Sequence, residues 1–381
     1  MTDSHAPSRR TVLAALTAGG VLATTGTARA ASRVPDELRP GGEFDRYLTQ
    51  LAEEEKFAGT VLLTHRGKPV LRRSHHLADR ARGIRNSQDT IFTLGSITKV
   101  FTALAIAQLA EQGKIGYSRK AGEYVDFLRP EVAEVTVHQL ITHTSGLADF
   151  HSPAYFDAAR HWHMVEEFWD GTLGFVRECP LTFAPGAGYA YSNAGYVVLG
   201  AIVGQVSAGR PGPHYYDYVR HNVFARADMT DADFVTRPEW MADRRMAHPY
   251  TKNEAGEWVD NIAGSPFTGT PAGGSFATAR DLAAFAKAVQ ENRLLTAPFT
   301  QLFTSPKVPH APNNSWWGAY GLGSFLSNGQ WTLGHNGANT AGASCNLEWF
   351  PATDWAAVVL GNGGFRTADP IANKLRELIT R

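Results

Sequence analysis

Three short stretches of the chain combine side chains able to form and break an acyl bond. In "TLGSITKVFTALAIAQLAEQGK", Thr93 to Lys114, Ser96 and Lys99 stand three residues apart at the head of an apolar run. In a helix that spacing puts both on one face near the first turn. Burial and the positive end of the helix dipole there disfavour an ammonium, and a neutral amine beside a serine hydroxyl is a usable base. A serine cap and a lysine reaching for solvent would fit the same two letters, so the pair needs company. In "FAPGAGYAYSNAGYVVLGAIV", Tyr191 and Asn193 lie two apart on a Gly- and Pro-containing loop before an apolar helix. The phenol could relay a proton and the amide could fix a lysine or a substrate carbonyl, although Asn193 could also simply cap the helix. In "TLGHNGANTAG", His335-Asn336-Gly337 ends a strand expected at a sheet edge. There a glycine lets backbone approach a ligand closely and offer N–H donors. A tight turn with an exposed histidine is the other account of that stretch.

The elements that must hold these residues are legible in outline. Phe44 to Glu55 has helical spacing, and "GTVLLTHRGKPVLRRSHHLAD" reads as two strands around Arg66-Gly67-Lys68. The helix carrying Ser96 and Lys99 is apolar nearly all round, which predicts burial between layers. From Tyr117 to Thr236 the signals are helical and loop-like; a helix follows over Ala279 to Glu291. "QWTLGHNG", "ASCNLEWF" and "WAAVVLGNG" then return to strands, and a helix over Ala368 to Thr380 closes the chain. Strands at both ends with helices between predict one sheet built from residues 31–116 and 276–381, with residues 117–275 inserted as a helical lobe.

Composition narrows the function. Lys plus Arg equals Asp plus Glu at 36 each, so nothing announces a polyanion such as nucleic acid. Two cysteines, Cys179 and Cys345, exclude a thiolate-built metal site; one disulfide between them is open in an oxidising compartment, with two separate buried thiols the favoured expectation. His75-His76, His161 and His163 lack partners at ligand spacing and are expected in packing or surface roles. Ser8-Arg9-Arg10, a modest apolar run and Ala28-Arg29-Ala30 have the order of a twin-arginine export signal cleaved after Ala30. Cleavage removes three arginines and one aspartate, leaving 33 basic against 35 acidic residues. The run is too short and polar for a stable membrane anchor, and an exported (secreted or cell-envelope) monomer is expected.

Taken together, Ser96-x-x-Lys99, Tyr191-x-Asn193 and His335-x-Gly337 resemble the active-site set of the serine beta-lactamase and penicillin-binding protein superfamily, close to its class C-like hydrolases, carboxypeptidases and esterases. "HTSGL" at His143 to Leu147 and "YGLG" at Tyr320 to Gly323 are similar to segments common there. The resemblance implies an α+β fold: an antiparallel sheet flanked by terminal helices, with an all-helical lobe inserted and the site in the cleft. It implies Ser96 as nucleophile, Lys99 and Tyr191 sharing its activation and leaving-group protonation, and Asn193 and His335 completing the polar network. The oxyanion hole would be the backbone N–H groups of Ser96 and of Ala338, after Gly337. No metal or organic cofactor is implied; the partner is a small-molecule or peptide substrate.

The sequence departs from that pattern at the third motif. His335 stands where most beta-lactamases have lysine, and no Lys or Arg occurs from Val308 to Phe365. A substrate carboxylate held by a cation gains a charge-assisted hydrogen bond that neutral groups do not match. Strong beta-lactamase activity is therefore not expected, and esters, amides or D-amino-acid peptides lacking a free carboxylate fit at least as well. Cleavage of D-alanyl-D-alanine would need an arginine from elsewhere for its carboxylate, or acidification that charges His335. A beta-lactamase, or a binding protein that has kept the cleft without turnover, is the alternative.

Overall fold

In the computed structural model, which describes residues 34–310 and 316–381, the chain enters through helix α1 (Glu43–Glu53) and a hairpin of β1 (Gly59–His65) and β2 (Lys68–His75). Arg66 and Gly67 make the reversal with left-handed backbone, φ 52° and 70°. That two-residue geometry matches the twist of paired strands, and glycine adopts it without strain. The expected export signal lies outside the described residues.

One 3-10 turn, Gly95–Ile97, leads into helix α2 (Thr98–Glu111), in which every residue from Thr98 to Leu109 is buried. Helix α3 (Asn193–Ala208) is likewise buried from Ala194 to Gly204. With no polar face to offer water, both are sealed between other elements. Shorter helices, among them Val137–Ile141, Pro153–Ala159 and Val165–Arg177, surround them. Toward the end of the 117–275 segment an antiparallel pair, Tyr250–Lys252 with Trp258–Asp260, interrupts the helical pattern. The Tyr250 N–H donates to the Asn362 carbonyl, so this hairpin is tied to the C-terminal strands.

Helix α4 (Ala279–Gln290) precedes the remaining strands: β3 (Val308–Pro309), β4 (Trp316–Gly318), β5 (Gly323–Ser327), β6 (Gln330–Ala338), β7 (Ser344–Phe350) and β8 (Trp355–Gly361). Helix α5 (Asp369–Thr380) ends the chain. The sheet is antiparallel throughout, in the order β2-β1-β8-β7-β6-β5-β4-β3. Residues from the two ends of the sequence meet at β1 and β8, with Leu62 opposite Val358. Trp349 packs on Phe285 of α4, while its neighbour Glu348 pairs with Arg376 of α5. Successive strand residues point to opposite faces, so α4 and α5 cover opposite sides of the sheet. Accordingly β1, β7 and β8 are buried along their whole length.

The strand carrying His335 differs from the expected edge strand. β6 lies inside the sheet, but β5 pairs only with its first half, the ladder stopping at Gly323 opposite Gly334. From His335 to Ala338 it is paired with β7 alone. The open edge is therefore local, created where the chain turns at Ala319 to Leu322. Cys179 and Cys345 are both buried and unbridged. Among the described residues no helix is long and apolar enough to cross a membrane.

Candidate active site

Ser96 sits half-buried on the 3-10 turn, and Lys99, with no exposed surface, on the first turn of α2. The Lys99 Nζ lies 2.7 Å from Asn193 Oδ1, 2.5 Å from the Ala272 carbonyl oxygen and 3.3 Å from Ser96 Oγ. The first two partners can only accept here, so each takes an N–H. A neutral amine has two N–H groups and one lone pair, which leaves the lone pair for the serine hydroxyl. Burial brings the Lys99 pKa down to about 7, and the negative charge of Asp149 partly opposes that fall.

Asn193 is free to serve the lysine because it does not cap its helix. The cap is Ser192, whose Oγ accepts from the Gly195 N–H at 3.1 Å. The Asn193 Nδ2 donates to Asp149 Oδ2 at 2.6 Å and lies 3.2 Å from His151 Nδ1. With its nitrogen committed to a carboxylate, the amide must turn its oxygen toward Lys99.

Tyr191 is 40% exposed as a residue, but its hydroxyl faces Ser96 and is desolvated. Burial raises its pKa and the serine contact lowers it, the rise winning, so the group is a phenol at neutral pH. Its ring stacks on His143 at 4.4 Å, and Lys99 Nζ lies 4.7 Å from its centroid. His143 has a left-handed backbone, φ 59°, and its Nδ1 accepts from the Ser192 N–H at 3.1 Å. Burial and the charge of Lys99 keep that ring neutral, and its part is to hold the Tyr191 loop.

Gly337 lets β6 pass against the serine turn. A Cβ at this position would fall 1.9 Å from the Leu94 carbonyl oxygen and 3.0 Å from the Ser96 nitrogen; one at Gly95 would fall 3.0 Å from the Ala338 nitrogen. Only two glycines facing each other permit that approach, and it sets the backbone nitrogens of Ser96 and Ala338 at the same contact between the turn and the strand. His335, two residues before Gly337, lies on the same face of β6. Its Nδ1 donates to the Asn336 carbonyl at 2.5 Å, and desolvation, then the charge of Lys99, pushes its pKa down to about 4. The expectation that mild acid would charge His335 is thereby corrected: tertiary burial keeps the ring neutral across the range in which a free histidine titrates.

A cavity of about 400 Å³ opens beside Tyr191 and His335. Its cations come from beyond the Val308–Phe365 run, and both are paired. Arg376 holds the buried Glu348, with Nε 3.0 Å from Oε2, and Arg366 Nε lies 2.6 Å from Asp369 Oδ2. Among the described residues no group of three His, Cys, Asp or Glu side chains could hold a metal ion.

A family model described as Beta-lactamase matches residues 44–381. The chain belongs to that family. It is 33% identical to the esterase EstB of Burkholderia gladioli over 228 residues, 56% of this chain and 56% of the esterase. It is 30% identical to a penicillin-binding protein of Bacillus subtilis over 193 residues, 49% of this chain and 40% of that protein. These alignments thus span about half the length of the relatives. The crystal structure of a penicillin-binding protein from Bacillus halodurans superimposes with a TM-score of 0.77 and 28% identity, covering 87% of this chain and 99% of that one.

Membership of the Beta-lactamase family leaves two site residues that the motifs did not bring out. Asp149 and the Ala272 carbonyl fix the donors around Lys99 from remote segments. Asp149 follows "HTSGL" by one alanine and is the first acid after Glu134, a signal the motif search passed over. A backbone carbonyl carries no signal in residue type at all.

Proposed function

We propose that this protein is a serine hydrolase that forms an acyl-enzyme on Ser96 with neutral esters, amides or D-amino-acid peptides. The observation that carries the proposal is the saturation of Lys99. Two fixed acceptors take its N–H groups and its remaining direction faces the Ser96 hydroxyl, with a pKa of about 7 making the free base available at neutral pH. The esterase and penicillin-binding relatives support the same class of chemistry.

In this mechanism Lys99 accepts the Ser96 proton, directly or through the Tyr191 hydroxyl, as Oγ attacks the substrate carbonyl carbon. The oxyanion is stabilised by the N–H groups of Ser96 and Ala338. Collapse expels the alcohol or amine, which leaves with the proton returned through Tyr191. Water, deprotonated by the same pair, then attacks the ester on Ser96 and frees the acid. Neutral substrates are favoured because each cation lining the cavity is already paired with a carboxylate. We extend the proposal to export, on the twin-arginine pattern at Ser8-Arg9-Arg10.

The test is labelling with a fluorophosphonate, followed by peptide mass spectrometry and a nitrophenyl ester assay. The expected result is an adduct on the Ser96 peptide and turnover, both lost in Ser96→Ala. An adduct that persists in Ser96→Ala would sink the assignment, and labelling without turnover of any ester, amide or D-alanyl peptide would leave only a binding protein.

A further inference from the structure

Beyond Tyr191 and His335 the cavity runs past the open edge of β6, and one of its walls is a row of aromatic rings. Tyr189 packs on His310 with centroids 3.9 Å apart, and His310 on Trp316 at 4.8 Å. Trp316 lies parallel to Phe325, 6.1 Å away with 4° between planes. The Arg376 guanidinium ends the row, 4.7 Å from the Phe325 centroid. All five line the same cavity. The row starts close to the chemistry, since His143 contacts Tyr189 edge-on at 5.9 Å and stacks on Tyr191 at 4.4 Å.

Two features bear on what this wall receives. Tyr189 and Trp316 leave 37% and 38% of their surface uncovered, and uncovered aromatic surface in a concave site beside reactive groups is where an apolar ligand gains most. The charges nearby cancel: Arg366 is bound to Asp369 and Arg376 to Glu348, while Asn336 and Asn346 are neutral. The wall therefore offers ring faces and edges with no net attraction for a charged group, and the ring quadrupole favours another ring over a saturated group of equal size.

We propose that this cavity receives an aromatic ring of the substrate, so that the preferred substrates are neutral esters or amides carrying an aryl group a few bonds from the scissile carbonyl. This assignment rests on the serine-hydrolase function proposed above. The ring can belong to the acyl half or to the leaving half, and the substrates of the test separate the two.

The experiment measures kcat/KM for ethyl phenylacetate against ethyl cyclohexylacetate, and for benzyl acetate against cyclohexylmethyl acetate, with Ser96 labelling by a fluorophosphonate run alongside. In each pair only the ring differs. The expected result is a preference of about tenfold for the aryl member of one pair, that pair naming the half that enters the cavity. The preference should fall toward unity in Trp316→Leu and in Tyr189→Leu. Ratios near one in the wild-type protein, with Ser96 labelled and esters turned over, would overturn the cavity assignment and leave the hydrolase standing. A preference that both variants retain would overturn it as well. Absence of both labelling and turnover would remove the hydrolase and this assignment with it.

Discussion

Two lysines of this protein, Lys99 and Lys307, have amines held away from water, and only one of them has the surroundings of a base. Burial brings Lys99 to about 7 and Lys307 to about 8. Each Nζ has three polar partners. Those of Lys307 are the Leu302 carbonyl at 2.6 Å and the Ser305 carbonyl and hydroxyl at 2.6 and 2.7 Å, all within five residues along the chain. They lie at the end of the helix Ala297–Thr304, where carbonyls lack helical partners and a cation is favoured. The partners of Lys99 are Ser96, one helical turn back, and Asn193 and Ala272 from two remote segments, and the Ser96 hydroxyl also faces the Tyr191 phenol. A depressed pKa thus marks desolvation in both places, and convergence of remote segments on a reactive hydroxyl separates catalysis from capping.

The sharpest way to break this contrast is to remove each amine. Lys99→Ala should lower kcat for ester hydrolysis at least about a hundredfold, and Tyr191→Phe similarly, since groups that work as a unit lose nearly everything with one member. The double variant should be little worse than either single one. Lys307→Met should leave kcat/KM within about threefold. Comparable losses at the two lysines would erase the distinction.

The next effect is on pH dependence. The base must be neutral, so kcat/KM should rise with pH through about 7, following Lys99, and level off above it. His335, with a pKa of about 4, and His143, lowered well below the ordinary histidine value, stay neutral through that rise. Asp149 stabilises the Lys99 ammonium, so Asp149→Asn should let the lysine pKa fall further and move the rise to lower pH, by about one unit or less. Loss of the carboxylate also frees the Asn193 amide to flip, lowering kcat. A rise that stays in place while kcat falls would make Asp149 a packing residue with no electrostatic part.

The same contrast explains what the sequence alone could tell. Ser96 with Lys99, and Tyr191 with Asn193, stood out because their spacing is local: one helical turn, or two positions on one loop. Their environment was not legible, since it is assembled from Asp149, Ala272 and His143, which are distant in sequence. The charge state of His335 was misjudged for the same reason, because burial and the proximity of Lys99 exist only in the folded chain. In the sheet, the long apolar strands β1, β7 and β8 were readable from their pattern. β3, β4 and β5 are two to five residues long and run through Pro309, Gly318 and Gly323, too short and broken for any period to show. Without them β6 looked like an edge, and the aromatic wall that two of them carry went unseen.

The smallest effect concerns Lys307 and stability. Burial holds its amine at about 8, against about 10.4 for a free lysine. Between those values the folded protein binds fewer protons than the unfolded one, so this group's contribution to stability rises with pH across that window. It is lowest and constant below about 8. Lys307 is only half-buried, so solvent screening limits the change to about 1 kcal/mol or less. Methionine keeps much of the apolar stem and does not titrate. Denaturation free energies of wild type and Lys307→Met, compared at several values between pH 7 and 10.5, should diverge in favour of the wild type as pH increases. Lys99 titrates in both proteins and cancels in the difference. A difference that stays flat would mean that the Lys307 amine is solvated in the folded state, and the depressed pKa would then belong to Lys99 alone.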